Sequence, residues 1–78
     1  MDMIGINVED NKSVSSMIFP AGSVIGKNCE FTNSKFKNNC LFTENCKFTK
    51  CKFDTNCKFT RSCEFIKCKF VDEYVYIV

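Results

Sequence analysis

The sequence has no histidine, no glycine-rich phosphate loop, no Cys-x-x-Cys pair and no apolar run near the ~18 residues of a membrane-spanning helix. Histidine is the side chain that most often serves as a general base near neutral pH. No nucleophile stands at motif spacing from another base, and no loop offers a nucleotide site. The polar amino-terminal stretch lacks the basic and apolar segments of a secretory signal. These absences predict a protein that is not an enzyme, has no cofactor or metal site and does not enter a membrane.

Phenylalanine and cysteine are the abundant residues, with nine and seven copies in 78 residues. All nine phenylalanines fall on one grid with steps of six, six and five residues. The grid positions are Phe19, Ile25, Phe31, Phe36, Phe42, Phe48, Phe53, Phe59, Phe65 and Phe70. Three steps make a 17-residue block, which occurs at 19–35, 36–52 and 53–69. A short fixed period is typical of a solenoid, in which each repeat packs on its neighbours.

Every cysteine occupies one position of this repeat, two residues before an aromatic. These are Cys29, Cys40, Cys46, Cys51, Cys57, Cys63 and Cys68. Ser23 and Ser34 fill the same position elsewhere, so the position favours a small residue rather than a cross-link. A secreted disulfide framework is the alternative, but the odd count would leave one thiol over. Zinc binding by a Cys-x4-Cys pair such as Cys46/Cys51 is disfavoured, because the repeat points both side chains inward. We predict reduced, buried thiols in a cytoplasmic protein.

Each side of the repeat has the pattern of a short strand followed by a corner. In 46–49 cysteine and phenylalanine alternate with polar residues, as in a half-buried strand. Six-residue sides then carry a small or amide residue three positions after the aromatic, and glycine and asparagine accept positive φ at low cost. These corner residues are Gly22, Asn28, Asn39, Asn45, Asn56 and Ser62. Five-residue sides lack this position. We therefore predict that each 17-residue coil has two left-handed corners and, after its five-residue side, a tighter third turn, so that three corners close a triangle.

The segment Phe-Pro-Ala-Gly-Ser-Val-Ile-Gly-Lys-Asn-Cys-Glu at 19–30 resembles two hexapeptide repeats, and the later Cys-x-Phe units resemble the pentapeptide-repeat family. The hexapeptide resemblance implies a left-handed triangular β-helix. Acyltransferases of that kind rely on a histidine base, which this chain lacks. Pentapeptide coils have four sides, and 17 residues fit three better. We therefore predict an all-β fold, a short, left-handed triangular β-solenoid of about three coils over 19–70.

The two ends of the chain leave this pattern. Residues 1–18 alternate like a strand, turn and return, which predicts a hairpin cap. At the other end, 71–78 carries the apolar strand Tyr74-Val75-Tyr76-Ile77-Val78. That strand either covers the last coil as a cap or pairs with a second copy through Tyr74, Tyr76 and Ile77. The second alternative predicts a homodimer.

The surface prediction rests on one row of outward residues. Lys35, Lys52 and Lys69 recur every 17 residues, with Lys37 and Asp54 beside them. Residues 19–69 carry ten basic and four acidic side chains. This row is either a solubilising face or a partner-binding site formed by Lys35, Lys37, Lys52 and Lys69.

The predicted function is binding rather than catalysis. Small free solenoids of the pentapeptide kind include inhibitors that resemble DNA, although this basic chain is a poor DNA mimic. Heavy use of Lys, Asn, Phe and Ile suggests an AT-rich genome such as that of some phages. We expect a protein-binding inhibitor of a host factor such as a nuclease-based defence system, acting in the host cytoplasm. The alternatives are a nucleic-acid or polyanion binder, an assembly subunit and, least favoured, an ice-binding solenoid, which would need a flat Thr-x-Thr face.

Overall fold

The computed structural model describes residues 5–71 and the backbone of 75–76. In these residues the chain forms thirteen short β-strands and no helix, so none that could cross a membrane. The strands are β1 (Asn7–Val8), β2 (Ser13–Ser15), β3 (Ile18–Phe19), β4 (Val24–Ile25), β5 (Glu30–Thr32), β6 (Lys35–Phe36), β7 (Leu41–Phe42), β8 (Lys47–Thr49), β9 (Lys52–Phe53), β10 (Lys58–Phe59), β11 (Glu64–Ile66), β12 (Lys69–Phe70) and β13 (Val75–Tyr76).

The strands form three parallel sheets, one on each side of a triangular solenoid. Sheet A has the order β1-β4-β7-β10-β13, sheet B β2-β5-β8-β11 and sheet C β3-β6-β9-β12. Partners lie 17 residues apart, as in Phe31↔Phe48↔Phe65 of sheet B. The predicted solenoid class and 17-residue coil are therefore confirmed, with about four turns instead of three. The hand of the coil stays a prediction.

The phenylalanine grid forms the interior. Rings in one column stack on each other, as Phe36 and Phe53 do with centroids 5.1 Å apart and planes 5° from parallel. Rings from different columns meet edge to face, as Phe36 and Phe42 do at 4.9 Å and 82°. Both arrangements are favourable for aromatic pairs and add to the burial of apolar surface. Seven of the nine rings are buried, and Phe65 and Phe70 of the last complete coil are half-buried.

All seven cysteines are free thiols beside these rings; five are buried, as predicted, and Cys63 and Cys68 are half-buried. Each thiol donates a weak hydrogen bond to the carbonyl oxygen 20 residues earlier, in the preceding coil. The Sγ–O distance is 3.3 Å from Cys46 to Gly26 and 3.5 Å from Cys51 to Phe31. Where serine replaces cysteine, the Ser23 hydroxyl donates to Pro20 and accepts the Ile6 amide. A small polar residue therefore links successive coils at this position: the thiols donate to the preceding coil, and the Ser23 hydroxyl accepts an amide from it.

The corners differ from the sequence prediction at two places. Five of the six predicted corner residues have positive φ, but Ser62 does not. At that corner the Cys63 amide bonds to Thr60 and the Ser62 hydroxyl accepts the Asn45 amide. The third corner, predicted as a turn without a left-handed residue, also has positive φ throughout. Its residues are Ser16 (58°), Asn33 (53°), Lys50 (53°) and Lys67 (53°). After the first coil, the left-handed residue of both kinds of side directly precedes the small interior residue.

The predicted amino-terminal hairpin is wrong. β1 pairs with β4 and β2 with β5, and both pairings are parallel, whereas a hairpin is antiparallel. Val8 and Val14 take the interior positions 17 residues before Ile25 and Phe31, so strand pairing of the solenoid begins at β1. The positions that later hold cysteine or serine carry Ile6, Lys12 and Met17 in this first coil, and all three are exposed. Large side chains fit there because no described coil precedes them.

At the carboxyl-terminal end, β13 pairs in parallel with β10 and extends sheet A by one strand. Two residues of the predicted self-association set, Tyr74 and Ile77, lie outside the described residues, as does the side chain of Tyr76. The choice between a cap and a dimer edge stays a prediction.

Candidate functional site: a lysine face

The outward side of sheet C carries a column of lysines. Lys35, Lys52 and Lys69 are Cα partners in the sheet, and Ile18 continues the column to β3. Each lysine precedes an inward phenylalanine, so the alternation of the strand turns it to solvent. Their amides bond to the carbonyls of Met17, Ser34 and Cys51, which fixes the backbone of the column.

A second column runs beside the first. Lys37, Asp54 and Val71 each follow the phenylalanine, and their amides bond to the carbonyls of Phe19, Phe36 and Phe53 respectively. They are thus equivalent residues of successive coils. We define the lysine face as both columns together, that is Ile18, Lys35, Lys52, Lys69, Lys37, Asp54 and Val71. The structure therefore brings all four predicted partner-binding lysines onto one side of the solenoid.

The lysine face has little internal charge compensation. Within residues 5–71 the one ion pair is Lys12–Glu9, with 3.8 Å between Nζ and Oε1, and neither residue belongs to the face. Asp54 accepts the amide of Thr55 at 2.8 Å through Oδ1. Three ammonium groups on adjacent parallel strands, about 4.8 Å apart at the backbone, repel one another. The column therefore gains from any external carboxylate or phosphate.

A shallow depression of about 220 Å³ lies between the two columns. The backbone of Phe36 and Phe53 passes beneath it, because both rings point inward. Its rim includes Lys35, Lys52 and Lys37. Ile18 and Val71, which are 61% and 70% exposed, also line it. The face can therefore offer an extended partner both positive charge and apolar surface.

Two further lysines that the sequence prediction missed stand next to this face. Lys50 and Lys67 occupy the corner between sheets B and C, and both are exposed. The Lys50 amide bonds to the carbonyl of Ile66 in the next coil, which places the two corners one above the other. The sequence did contain a signal for these two corners. Lys50 and Lys67 each directly precede an interior cysteine, as the corner asparagines do. Because lysine is not expected at positive φ, the residue type gave no indication of a left-handed corner.

The other two faces are less uniform. Sheet B presents Glu30, Lys47 and Glu64 in register, so its charges alternate, without an ion pair within 4.0 Å. Sheet A presents Val24 and Leu41, which are 39% and 36% exposed, next to Lys58. Thr43 and Thr60 each donate a hydrogen bond to a carbonyl of the preceding coil, and the Thr60 hydroxyl also lies 3.2 Å from that of Ser62. Neither face concentrates charge of one sign as the lysine face does.

Within the described residues, no group of three or more His, Cys, Asp or Glu side chains is arranged to hold a metal ion. Burial raises the pKa of the Cys51 thiol above its ordinary value, which favours the protonated form over the thiolate that metals bind. Comparison with protein families, curated proteins and solved structures found no match. The strand pairing shows a β-solenoid of parallel stacked sheets, without a family assignment.

Proposed function

We propose that this protein is a non-enzymatic binding protein that docks its lysine face onto an acidic surface of a partner protein and so inhibits that partner. The observation that carries the proposal is the in-register column of Lys35, Lys52 and Lys69. These three charges repel one another, and none has an ion pair among residues 5–71. A partner that supplies carboxylates relieves this repulsion and makes association fast and selective.

The rigidity of the scaffold supports this proposal. Phe36 and Phe53, which follow Lys35 and Lys52, are 2% and 1% exposed and stack on each other. Every lysine of the column has its backbone fixed by a bond to the preceding coil. Only side-chain rotamers have to be ordered on binding, and a preorganised surface loses less affinity to ordering.

The mixed composition of the face favours a protein over a nucleic acid as the partner. Ile18 and Val71 expose large apolar side chains at opposite ends of the face, and a protein surface can cover both. Asp54 would repel a phosphate backbone, whereas a protein can meet it with a cation. All described phenylalanines are interior residues, so the face offers no ring on which single-stranded bases stack.

A phosphate backbone is the second candidate, and one specific observation favours it. The cations of the face are all lysines, and lysine is depleted in protein interfaces but binds phosphate well as a point charge. A single-stranded oligonucleotide bound with a steep salt dependence, and released by charge reversal of the column, would favour this candidate.

In its finer form the proposal is a phage-encoded inhibitor of a nuclease-based defence system, acting in the host cytoplasm as a homodimer. The position of β13 supports the dimer, because this strand ends the order of sheet A and edge strands readily pair with a second chain. We expect sedimentation velocity to give a dimer for the full chain and a monomer after removal of 74–78. A full-length monomer at tens of micromolar would contradict the homodimer and favour the cap.

The proposed function is tested by affinity capture from a lysate of the cells in which the protein acts. Three baits are compared: the native chain, the face variant Lys35→Glu/Lys52→Glu/Lys69→Glu, and the control variant Lys27→Glu/Lys58→Glu/Arg61→Glu. Both variants change the same number of exposed charges, and the control leaves the lysine face intact. We expect unchanged circular dichroism for both, since no buried residue is altered.

The expected result is one acidic protein that is retained by the native chain and the control, released by salt and lost with the face variant. If the face variant retains the partner as well as the native chain does, the binding site lies on the Val24/Leu41 side or at the carboxyl-terminal edge instead. The absence of any protein above background would contradict a protein partner.

A further inference from the structure

The corner between sheets B and C departs from the rule that governs the other corners. Apart from Lys50 and Lys67, the described residues with positive φ are asparagines, Ser16 and Gly22. Glycine tolerates this conformation because it has no Cβ, and asparagine because its short amide can bond locally to the backbone, whereas lysine has the unfavourable Cβ without that compensation. The column begins with Ser16 and Asn33 and changes to lysine in the next two coils, at almost the same φ.

Folding gives no reason for this change. Both lysines are exposed, and their side chains form no hydrogen bond or ion pair within the described residues. Asn33 shows that asparagine fits the same corner at φ 53°, with its amide bonded to Thr49 as that of Lys50 is bonded to Ile66. A residue that breaks a local rule without a structural benefit points to a role in function.

The placement of the two lysines indicates that role. Lys50 stands two residues before Lys52, and Lys67 two residues before Lys69, with one interior cysteine between the members of each pair. The corner column Lys50–Lys67 therefore runs parallel to the column of sheet C, one corner away. Together they make a ridge of five lysines with Lys35 at its amino-terminal end.

We propose that Lys50 and Lys67 are binding residues that extend the lysine face around the corner. An acidic protein segment then contacts both the sheet C column and the corner column of the ridge. This inference rests on the proposed function and names further residues of that site. Charge complementarity determines the occupant. The ridge has five cations, Asp54 is an anion in the column beside it, and the apolar Ile18 and Val71 border its sheet C side. The segment is acidic where it crosses the ridge and apolar at its ends.

The test uses substitutions that improve folding while they remove charge. The corner variant is Lys50→Asn/Lys67→Asn, and its matched control is Lys27→Asn/Lys58→Asn, which removes two exposed lysines elsewhere. The probe is fluorescent poly-L-glutamate, and a single-stranded oligonucleotide of equal charge forms the second arm. Urea denaturation and binding at low salt are measured for the native chain and for each variant, together with the Lys35→Glu/Lys52→Glu/Lys69→Glu variant.

We expect the corner variant to unfold at a higher urea concentration than the native chain and to bind poly-L-glutamate about tenfold more weakly. The control should lose distinctly less binding. Equal losses in both variants would show an effect of net charge and would overturn the inference. Native-like binding by the corner variant, with loss in the face variant, would overturn the inference and leave the proposed function standing.

The remaining outcomes concern the partner. A native chain that does not bind poly-L-glutamate would contradict both the inference and the proposed function. Tighter binding of the oligonucleotide than of poly-L-glutamate would assign the ridge to nucleic acid and overturn the protein partner. A corner variant less stable than the native chain would show that lysine serves the fold at this corner, and would remove the argument from strain.

Discussion

At the scale of single residues, cysteine combines small volume with a hydrogen-bond donor. Every thiol lies beside the phenylalanine stacks and reaches a carbonyl of the coil before it. Ser23 and Ser34 contact the preceding coil in the opposite direction, because their hydroxyls accept the amides of Ile6 and Met17. This explains why so many cysteines occur without a disulfide or a metal cluster among the described residues.

The first prediction concerns Cys46, which is 1% exposed. Replacement by alanine leaves a cavity and removes the bond to Gly26, and we expect a loss of about 1–2 kcal/mol in the free energy of unfolding. Cys46→Lys should abolish folding, because a charge cannot be buried among these rings. Urea denaturation followed by circular dichroism measures both, with the exposed neighbour change Lys47→Ala as the control. An unaffected Cys46→Lys variant would contradict the inward position.

The second prediction concerns alkaline pH. Burial raises the pKa of Cys51 above the ordinary 9.0, so the unfolded chain loses this proton at a lower pH than the folded chain. The stabilisation is fully present below pH 9 and is lost as the pH rises above it. Because lysines and tyrosines also titrate above pH 9, the native chain is compared with the Cys51→Ser variant, and the difference between their free energies of unfolding is followed with pH. Serine suits this position because Ser34 already occupies the equivalent one in the preceding coil. We expect the free energy of unfolding of the serine variant to fall less steeply, and identical slopes would refute the effect.

At the scale of strands and corners, spacing determined what the sequence could predict. Steps of six and five residues define where each side ends, so the parallel pairing and the 17-residue register were predictable from the phenylalanines. The first coil was missed because its interior residues are Val8 and Val14, and because Ile6, Lys12 and Met17 replace the small residues. The third corner was missed because the residue type at Lys50 and Lys67 does not indicate positive φ, although their position before a cysteine does.

The third prediction tests the left-handed corners at Asn39, whose φ is 63°. Asn39→Ala should destabilise the fold by about 1 kcal/mol, because a Cβ is unfavourable at this φ and alanine lacks the compensating amide. Asn39→Gly should be close to neutral, since glycine adopts this conformation freely and already occupies the corner at Gly22. Thermal and urea denaturation of the two variants give the comparison. A glycine variant less stable than the alanine variant would show that something other than backbone conformation selects asparagine.

At the scale of the whole molecule, the solenoid stacks residues 17 positions apart into columns, and in one of them all three charges have the same sign. Alternation predicted the column of Lys35, Lys52 and Lys69, because residues before an inward phenylalanine must point outward. The shortage of countercharge beside that column was predictable from the sequence, but the absence of an ion pair on it within residues 5–71 required the structure, since ion pairing depends on side-chain positions that spacing does not give. The exposure of Ile18 and Val71 likewise required the structure, whereas the corner lysines already carried a signal in their position before a cysteine.

The central claim is that the lysine face contacts a protein partner, and site-specific photo-crosslinking in the cells where the protein acts tests it most directly. A photoreactive residue replaces Lys52 on sheet C or, as the matched control, Lys58 on sheet A, which is also exposed and also precedes an inward phenylalanine. We expect position 52 to give one discrete adduct with an acidic protein and position 58 to give none. Adducts from position 58 alone, or none from either position with a folded chain, would contradict the account.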